Sequence, residues 1–283
     1  MLNEISNLDE LIAMALREDV GDGDHSTLAC IPSEALGKAK MVAKQPGILC
    51  GAEVGQRVFR IVNPQLNVTL LKHDGDTLQV GDMVMTVEGP AGSILTAERT
   101  ALNFMQRLSG IATATNRMVR MLDGLHTRLL DTRKTTPNMR LLEKYAVKCG
   151  GGTNHRIGLY DMVMLKDNHV DFAGGIEQAI DRTRHYLAAN GKALKLEIEV
   201  RNLEELERVM QHGGVDRIML DNFDIPTLRK AVERIGGKYE TEASGGITDA
   251  TLRPYAETGV DFISVGALTH HIKSLDLSLV SNF

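Results

Sequence analysis

The strongest constraint on the fold is a regular alternation of short apolar segments with amphipathic segments from Gly124 to the end of the chain. The apolar segments have the length of strands, about five residues, and apolar residues recur at helical spacing in the segments between them. Strands that alternate with helices need right-handed crossovers and form a parallel sheet, which is either open or closed into a barrel. The pattern therefore predicts an α/β domain for this part of the chain.

The elements of this domain follow from the same pattern. The predicted strands are Leu125–Asp131, Met162–Leu165, Leu194–Val200, Arg217–Leu220, Tyr239–Ala243 and Phe262–Val265. The predicted helices lie near Met139–Lys148, Ile176–Ala189, Leu203–His212, Ile225–Ile235 and Ala250–Thr258. Only about six strands are visible, so a complete eightfold barrel would need further elements.

The chain before Gly124 has a different pattern. Short apolar runs broken by glycine predict an antiparallel sheet with strands at Ala39–Val42, Ile48–Cys50, Val68–Leu71 and Met83–Val87. Helices are predicted at about Leu8–Leu16, near Val54–Val62 and near Ser93–Leu122. We interpret the acidic segment Asp19–Thr27 as a structural loop rather than a metal site, because no closing glutamate completes an EF-hand.

Charge and composition exclude several classes of function. A formal charge of −5 argues against a general nucleic-acid binder, which needs a basic face. No apolar run approaches the roughly 20 residues that span a membrane, and acidic residues occupy the positions where a secretory signal is basic. Cys30, Cys50 and Cys149 are far apart and lack metal-site spacing, so we interpret them as reduced thiols of a cytoplasmic protein.

Polar residues follow the predicted strands at the points where the strands end. These segments are Asp131–Pro137, Lys166–His169, Glu197 with Glu199, Asp221-Asn222, Ser244–Thr248 and Gly266-Ala267. In βα barrels the carboxyl ends of the strands open onto one face and carry the active site. We therefore expect these segments to form one site.

The charges at this expected site divide by type. Arg133, Lys134, Lys166 and the Asn154–Arg156 segment are rich in cations and donors, which indicates an anion with several charges. Glu199 and Asp221 end adjacent strands and suit either Mg²⁺ or sugar hydroxyls. Glu197 lies on the same side of its strand but deeper, and we expect it to be structural.

Two glycine-containing turns precede predicted helices. The segments Ser244-Gly245-Gly246 and Val265-Gly266-Ala267 present backbone N–H groups there, and such groups bind phosphate together with a helix dipole. A separate cation, Arg99, lies in the largely apolar segment Glu98–Asn103. It needs a carboxylate partner such as Glu98 or an anionic ligand, and the sequence leaves both open.

The chain resembles the quinolinate phosphoribosyltransferase family, also called nicotinate-nucleotide pyrophosphorylase (carboxylating), over essentially its full length. The matching stretches are Glu98–Asn103, Asp131–Pro137, Asn154–Gly158, Leu165–His169, Glu197–Val200, Leu220–Phe223, Ser244–Ile247 and Gly266–Thr269. The early segment Glu18–Asp24 also resembles the N-terminal loop of the family.

The resemblance implies an α/β protein with an N-terminal α/β sandwich domain, residues 1–122, and an incomplete, about seven-stranded parallel α/β barrel, residues 123–283. It leaves open whether the C-terminal tail packs back on the first domain. It also implies at least a homodimer, in which the N-terminal domain of one subunit covers the barrel mouth of the other. Arg99 would then reach into the neighbouring active site, which contains Mg²⁺ as cofactor.

The resemblance also implies the role of each site residue. Quinolinate would be held by Arg133, His155, Arg156 and Lys166. Lys134 would contact phosphoribosyl pyrophosphate, and Thr135 belongs to the same substrate-binding set. Glu199 and Asp221 would bind Mg²⁺ or the ribose hydroxyls of phosphoribosyl pyrophosphate. The 5′-phosphate of the same substrate would be bound by the turns Ser244-Gly245-Gly246 and Val265-Gly266-Ala267. The expected catalytic residues are Lys134, Lys166, Glu199 and Asp221.

Three other functions remain as alternatives. A nicotinate phosphoribosyltransferase would bind a substrate with one carboxylate, for which this set of cations is large. A non-catalytic relative of the same fold would have little reason to keep Lys134, Lys166 and the acidic pair. A Schiff-base aldolase using Lys166 would need that lysine's pKa to be lowered by burial.

Overall fold

The computed structural model describes residue 5 and residues 7–282. The helices are α1 Leu8–Val20, α2 His25–Cys30, α3 Ala52–Val62, α4 Ala91–Arg120, α5 Arg140–Cys149, α6 Asp167–Ala173, α7 Ile176–Ala189, α8 Leu203–His212, α9 Ile225–Ile235, α10 Asp249–Ala256 and α11 Ala267–His270. The strands are β1 Leu36–Ala43, β2 Gly47–Ile48, β3 Asn67–Leu70, β4 Thr77–Leu78, β5 Met83–Pro90, β6 Arg128–Leu130, β7 Val163–Leu165, β8 Leu196–Val200, β9 Arg217–Asp221, β10 Glu240–Ser244, β11 Phe262–Ser264 and β12 Leu277–Asn282.

These elements form two compact units. The first unit comprises residues 1–116, 135–151 and 268–283, and the second comprises residues 117–134 and 152–267. The boundary between residues 122 and 123, drawn from the sequence for two continuous domains, stays a prediction. None of the helices among the described residues is long and apolar enough to cross a membrane.

The first unit is built on an antiparallel sheet. Its strand order is β12-β1-β5-β3, and a two-stranded sheet of β2 and β4 lies in the same unit. Helix α3 buries Val54, Val58 and Phe59, which lie on one face at helical spacing. Gly55 lies on this helix beside Met105 of α4, and a Cβ at Gly55 would lie 2.4 Å from the Met105 sulfur. The antiparallel sheet and helices expected for the N-terminal domain are therefore confirmed.

The second unit is built on a parallel sheet of six strands in the order β6-β11-β10-β9-β8-β7. A single parallel bridge between Leu130 and Thr153 adds a seventh chain segment beside β6. Among the described residues, no pairing joins this segment to β7, so the barrel is not closed. The fold class predicted from the sequence, α/β with an incomplete parallel barrel, is confirmed.

The helices of the second unit pack side by side in chain order from α6 to α10. Helix α9 shows why they form where the sequence predicts them. The Asp224 side chain caps its first turn by accepting from the Thr227 N–H at 2.7 Å. The same helix buries Leu228, Ala231 and Ile235, which share one face. Burial of such stripes holds each crossover helix in place.

Two short helices differ from the sequence predictions. Helix α2 begins at His25, inside the acidic segment Asp19–Thr27 that was expected to be a loop, because Asp24 accepts from the Thr27 N–H at 3.1 Å and from its hydroxyl at 2.6 Å. Helix α6 begins at Asp167, two residues after the end of β7. Both helices are too short to show a clear apolar period, so capping groups rather than periodicity mark them.

Candidate active site

The register of the parallel sheet places the predicted site segments at one edge. Asp221 pairs with Ser244 at the ends of β9 and β10. Glu199 lies near the end of β8, and Lys166 directly follows β7. Because all these strands run in the same direction, their carboxyl ends form a single rim.

Glu199 and Asp221 form an acidic pair on this rim, and Lys166 lies close to both. Burial raises the pKa of Glu199, the charge of Asp221 raises it further, and Lys166 opposes the rise. Burial also raises the pKa of Asp221, while hydrogen bonds from Asn222 and Ser244 and the charge of Lys166 oppose it. Two carboxylates that repel each other and retain access to solvent can bind a cation or hydroxyl groups.

Arg133 and Arg156 bring two guanidinium groups together at the same unit's rim. Burial lowers the pKa of Arg156, and the neighbouring positive charge of Arg133 lowers it further. The Arg156 side chain is held in place by donating to the Met162 carbonyl at 3.2 Å. Two adjacent cations repel each other, so an anion with more than one charge would stabilise the pair.

The segment containing Arg156 is anchored by Asp131, which is fully buried at the end of β6. One Asp131 oxygen accepts from the His155 backbone N–H at 2.8 Å, and the other accepts from the Asn154 amide at 2.6 Å. Sequence reasoning did not assign Asp131 a role, although its position at a strand end beside a cationic segment was the available signal.

His155 lies in a buried ionic network, defined here by His155, Glu197, Glu242 and Arg217. Its Nδ1 lies 2.6 Å from the Arg156 backbone nitrogen. Burial opposes protonation of the ring, but the Glu197 and Glu242 carboxylates raise its pKa to about 9. The Nε2 of the ring lies 3.1 Å from a Glu197 oxygen and 3.2 Å from a Glu242 oxygen. Its assignment to quinolinate binding stays a prediction.

The two carboxylates of this network are both fully buried. Burial raises the pKa of Glu197 to about 7, and the charge of Glu242 adds to the rise. Arg217 donates to Glu242 at 3.2 Å. The depth of Glu197 agrees with the sequence prediction for a residue two positions before Glu199. Glu242 lies two positions before Ser244, which is the same signal for a buried carboxylate, but the sequence analysis did not identify it.

The turn after β10 is tightly built. Gly245 and Gly246 have φ angles of +103° and +60°, and a Cβ at Gly245 would lie 2.2 Å from the Asn222 side-chain oxygen. The Asn222 backbone N–H donates to the Ser244 carbonyl at 2.9 Å. This close approach explains why glycine occupies position 245.

Part of the backbone of the turn after β11 is hydrogen-bonded to the sheet. The backbone N–H of Val265 donates to the Leu130 carbonyl at 3.0 Å. Gly266 follows, and Ala267 begins α11, which has only four residues. The assignment of both turns to a phosphate stays a prediction.

The remaining predicted site residues have these positions. Lys134 is exposed in the second unit, and its backbone N–H donates to the Thr132 hydroxyl at 3.0 Å. Thr135 belongs to the first unit, where its hydroxyl accepts from Arg140 at 3.1 Å. Arg99 is exposed on α4 in the first unit. Their roles in substrate binding stay predictions.

Two family models match successive parts of the chain. The model of the quinolinate phosphoribosyl transferase N-terminal domain matches residues 24–109, and the model of its C-terminal domain matches residues 111–280. The chain is 45% identical to the chloroplastic nicotinate-nucleotide pyrophosphorylase [carboxylating] of Oryza sativa subsp. japonica, over 96% of this chain and 77% of that protein. It is 43% identical to a probable nicotinate-nucleotide pyrophosphorylase [carboxylating] of Bacillus subtilis, over 96% and 92%.

Solved structures agree with this assignment. NadC from Streptococcus pyogenes is 41% identical with a TM-score of 0.92, over 98% of both chains. The nicotinate-nucleotide pyrophosphorylase of Francisella tularensis is 39% identical with a TM-score of 0.93, over 100% of this chain and 99% of that one. Human nicotinic acid phosphoribosyltransferase shares the fold at a TM-score of 0.62 but only 12% identity, so the fold alone does not separate the two activities. With both domain models matched in order and relatives above 40% identity along nearly all of its length, the chain belongs to the quinolinate phosphoribosyltransferase family.

Proposed function

We propose that this protein transfers the phosphoribosyl group of phosphoribosyl pyrophosphate to quinolinate with decarboxylation. The products are nicotinate mononucleotide, pyrophosphate and CO₂, and the reaction is a step in the de novo synthesis of NAD. The observation that carries the proposal is the pairing of Arg133 with Arg156 on a rim that also holds the acidic pair Glu199 and Asp221. Such a rim suits a dicarboxylate on one side and a sugar on the other.

The arginine pair suits quinolinate because its two carboxylates lie on neighbouring ring carbons. Each planar guanidinium can hold a carboxylate through two parallel hydrogen bonds. The substrate's charges would offset the repulsion between Arg133 and Arg156. They would add to the negative charge that Glu197 and Asp161 already place near Arg156. A substrate with one carboxylate would leave part of that repulsion in place.

The acidic pair fits a Mg²⁺ ion that arrives with the pyrophosphate. Both carboxylates offer hard oxygen ligands, and their raised pKa values show repulsion and desolvation that a cation would relieve. Glu199 and Asp221 would hold the ion, directly or through the ribose hydroxyls. When bound, Mg²⁺ neutralises the charge on the departing pyrophosphate.

The residues of the rim would act on charge that develops during the reaction. Departure of pyrophosphate leaves positive charge on the ribose ring, which the Glu199 and Asp221 carboxylates stabilise. Lys134 and Lys166 supply positive charge for the phosphates and the quinolinate carboxylate. The pyridine nitrogen then bonds to the anomeric carbon. The resulting ring cation stabilises the electron pair that the adjacent ring carbon keeps as CO₂ departs, and that carbon then takes a proton from water to give nicotinate mononucleotide.

The alternatives fit the structure less well. Lys166 is exposed, whereas a Schiff-base lysine is activated by desolvation in an apolar pocket. A non-catalytic relative would not need the acidic pair and the arginine pair on one rim.

Two parallel incubations test the proposed reaction and its rival. Protein supplied with phosphoribosyl pyrophosphate, Mg²⁺ and quinolinate is expected to form nicotinate mononucleotide and CO₂. The same protein supplied with nicotinate is expected to form no nucleotide. Turnover of nicotinate in place of quinolinate would assign the protein to the rival activity, and turnover of neither would contradict catalysis.

The acidic pair predicts a pH dependence. The reaction needs both carboxylates to be ionised. Because the pKa values of Glu199 and Asp221 are raised, lowering the pH should reduce activity at a higher pH than it would for ordinary carboxylates. Replacing Asp221 with asparagine removes a negative charge that raises the pKa of Glu199. We therefore expect Asp221→Asn to lower kcat and to move the acidic limb of the kcat/KM profile to lower pH. Glu204→Gln, which alters a carboxylate outside the pair, is the control. An acidic limb that stays at its wild-type pH in Asp221→Asn would contradict the coupling between Asp221 and Glu199.

We further propose a homodimer, or a larger homo-oligomer, in which Arg99 of one subunit completes the active site of another. Support comes from the family resemblance and from the exposed position of Arg99 on α4. Inactive Arg99→Ala and inactive Lys134→Ala chains should regain partial activity when their subunits are mixed. Exchange of subunits without recovery would contradict a shared site. The cytoplasmic location stays a prediction.

A further inference from the structure

The first unit contains a cluster that the proposed reaction does not use. Cys50 follows the short strand β2, and Cys149 is the last residue of α5. Asp74 lies in the turn between β3 and β4. The structure brings these three side chains together, although the sequence spacing of the cysteines gave no sign of a metal site. We call them the cysteine–aspartate cluster.

The ligand atoms of the cluster lie close to one another. One oxygen of Asp74 and the sulfurs of Cys50 and Cys149 all lie within 4.8 Å of each other. Cys50 is fully buried, whereas Cys149 and Asp74 are partly accessible. The cluster is therefore shielded on one side and reachable from the other.

The Asp74 carboxylate is held in a fixed orientation. One oxygen accepts from the Ala52 backbone N–H at 2.8 Å, and the other accepts from the Tyr145 hydroxyl at 2.8 Å. Such outer hydrogen bonds are what orient carboxylate ligands in metal sites.

The backbone at both cysteines is also fixed against α4. The Cys50 N–H donates to the Ser109 hydroxyl at 2.9 Å, and that hydroxyl donates back to the Cys50 carbonyl at 3.1 Å. Gly150, next to Cys149, packs so closely that a Cβ there would lie 2.4 Å from the Ala112 carbonyl oxygen. The backbone that carries the two sulfurs is therefore held in place by hydrogen bonds and close packing.

We propose that Cys50, Asp74 and Cys149 form a binding site for a thiophilic divalent cation of the zinc class. Two sulfurs and one carboxylate oxygen are ligands that Zn²⁺ prefers, and a water molecule would complete a tetrahedral set. Sulfur ligands disfavour Mg²⁺, so the site is chemically distinct from the acidic pair of the second unit.

The charges of the cluster support a cation. Ionisation of both thiols beside Asp74 would place three negative charges together, which a divalent cation would largely offset. Thiol ligands lose their protons when they bind a metal, so affinity should increase with pH.

Cadmium titration tests the proposal directly. The untagged full chain is reduced, freed of metal with a chelator, and titrated with Cd²⁺ in the presence of excess Mg²⁺, with thiolate-to-metal charge-transfer absorption as the readout. We expect one saturating equivalent per chain, displaced by Zn²⁺. Cys149→Ser should abolish this absorption. Cys30→Ser, which alters an exposed cysteine outside the cluster, should leave it unchanged.

A second variant separates binding from folding. Tyr145→Phe keeps the aromatic ring but removes the hydrogen bond that orients Asp74, and we expect about 10- to 100-fold weaker Cd²⁺ binding. Circular dichroism of the metal-free variants checks that they are folded. No saturable absorption in the wild-type chain, equal binding by Cys149→Ser, or unchanged affinity in Tyr145→Phe at matched folding would each overturn the proposal.

Discussion

Replacing Arg133 with alanine should raise the Michaelis constant for quinolinate about ten- to a hundredfold, because a lost charge-assisted hydrogen bond is worth roughly 1.5–3 kcal/mol. The Michaelis constant for phosphoribosyl pyrophosphate should change far less, since Arg133 lies near Arg156 and is expected to bind the carboxylates of quinolinate. Steady-state kinetics with each substrate varied in turn measures both constants.

A surface arginine provides the control for this variant. Arg229 is exposed in the same unit and donates to the Glu257 carbonyl at 3.1 Å. Arg229→Ala should leave both Michaelis constants near their wild-type values. An Arg133→Ala enzyme with an unchanged constant for quinolinate would remove Arg133 from the carboxylate pocket.

Replacing Arg217 with methionine should lower the free energy of unfolding by about 3–5 kcal/mol, because it removes one of the positive charges that compensate the buried carboxylates. Arg217 is itself buried and donates to Glu242, which is fully buried. It also lies over the Phe262 ring, with the guanidinium carbon 4.1 Å from the ring centroid. Methionine retains much of the packing against that ring, so the charge is the main loss. Urea unfolding at neutral pH measures the difference.

Two further variants test this explanation. Arg234 pairs with Glu207 at the surface, and Arg234→Met should cost less than about 1 kcal/mol because solvent screens exposed pairs. Adding Glu242→Gln to Arg217→Met should restore part of the lost stability by removing an uncompensated charge. Equal losses in the buried and exposed arginine variants would show that the network has no special role in stability.

The fold was largely predictable because each element of the barrel carries its own local signal. Leu228, Ala231 and Ile235 reveal α9 by their spacing, and a parallel sheet follows from the alternation of such helices with apolar strands. The order of the strands in the sheet and the bridge between Leu130 and Thr153 were less accessible. They depend on pairing between distant segments, which no local pattern encodes.

The site was predictable to the extent that it follows strand ends. Lys166, Glu199 and Asp221 come together because parallel strands end at one edge, and this needs only the strand assignments. The buried partners of His155 were not predicted, because the pairing of Arg217 with Glu242 arises from the register of β9 against β10. The meeting of Cys50 with Cys149 likewise depends on how α4 packs, and a local pattern contains no information about it.

The fate of one labelled carboxylate tests the proposed reaction most directly. Quinolinate labelled with ¹³C only in the carboxylate next to the ring nitrogen is supplied with phosphoribosyl pyrophosphate and Mg²⁺. Our account predicts that all the label leaves as CO₂, with one CO₂ formed for each unlabelled nicotinate mononucleotide. Label retained in the nucleotide, or nucleotide formed without CO₂, would contradict it.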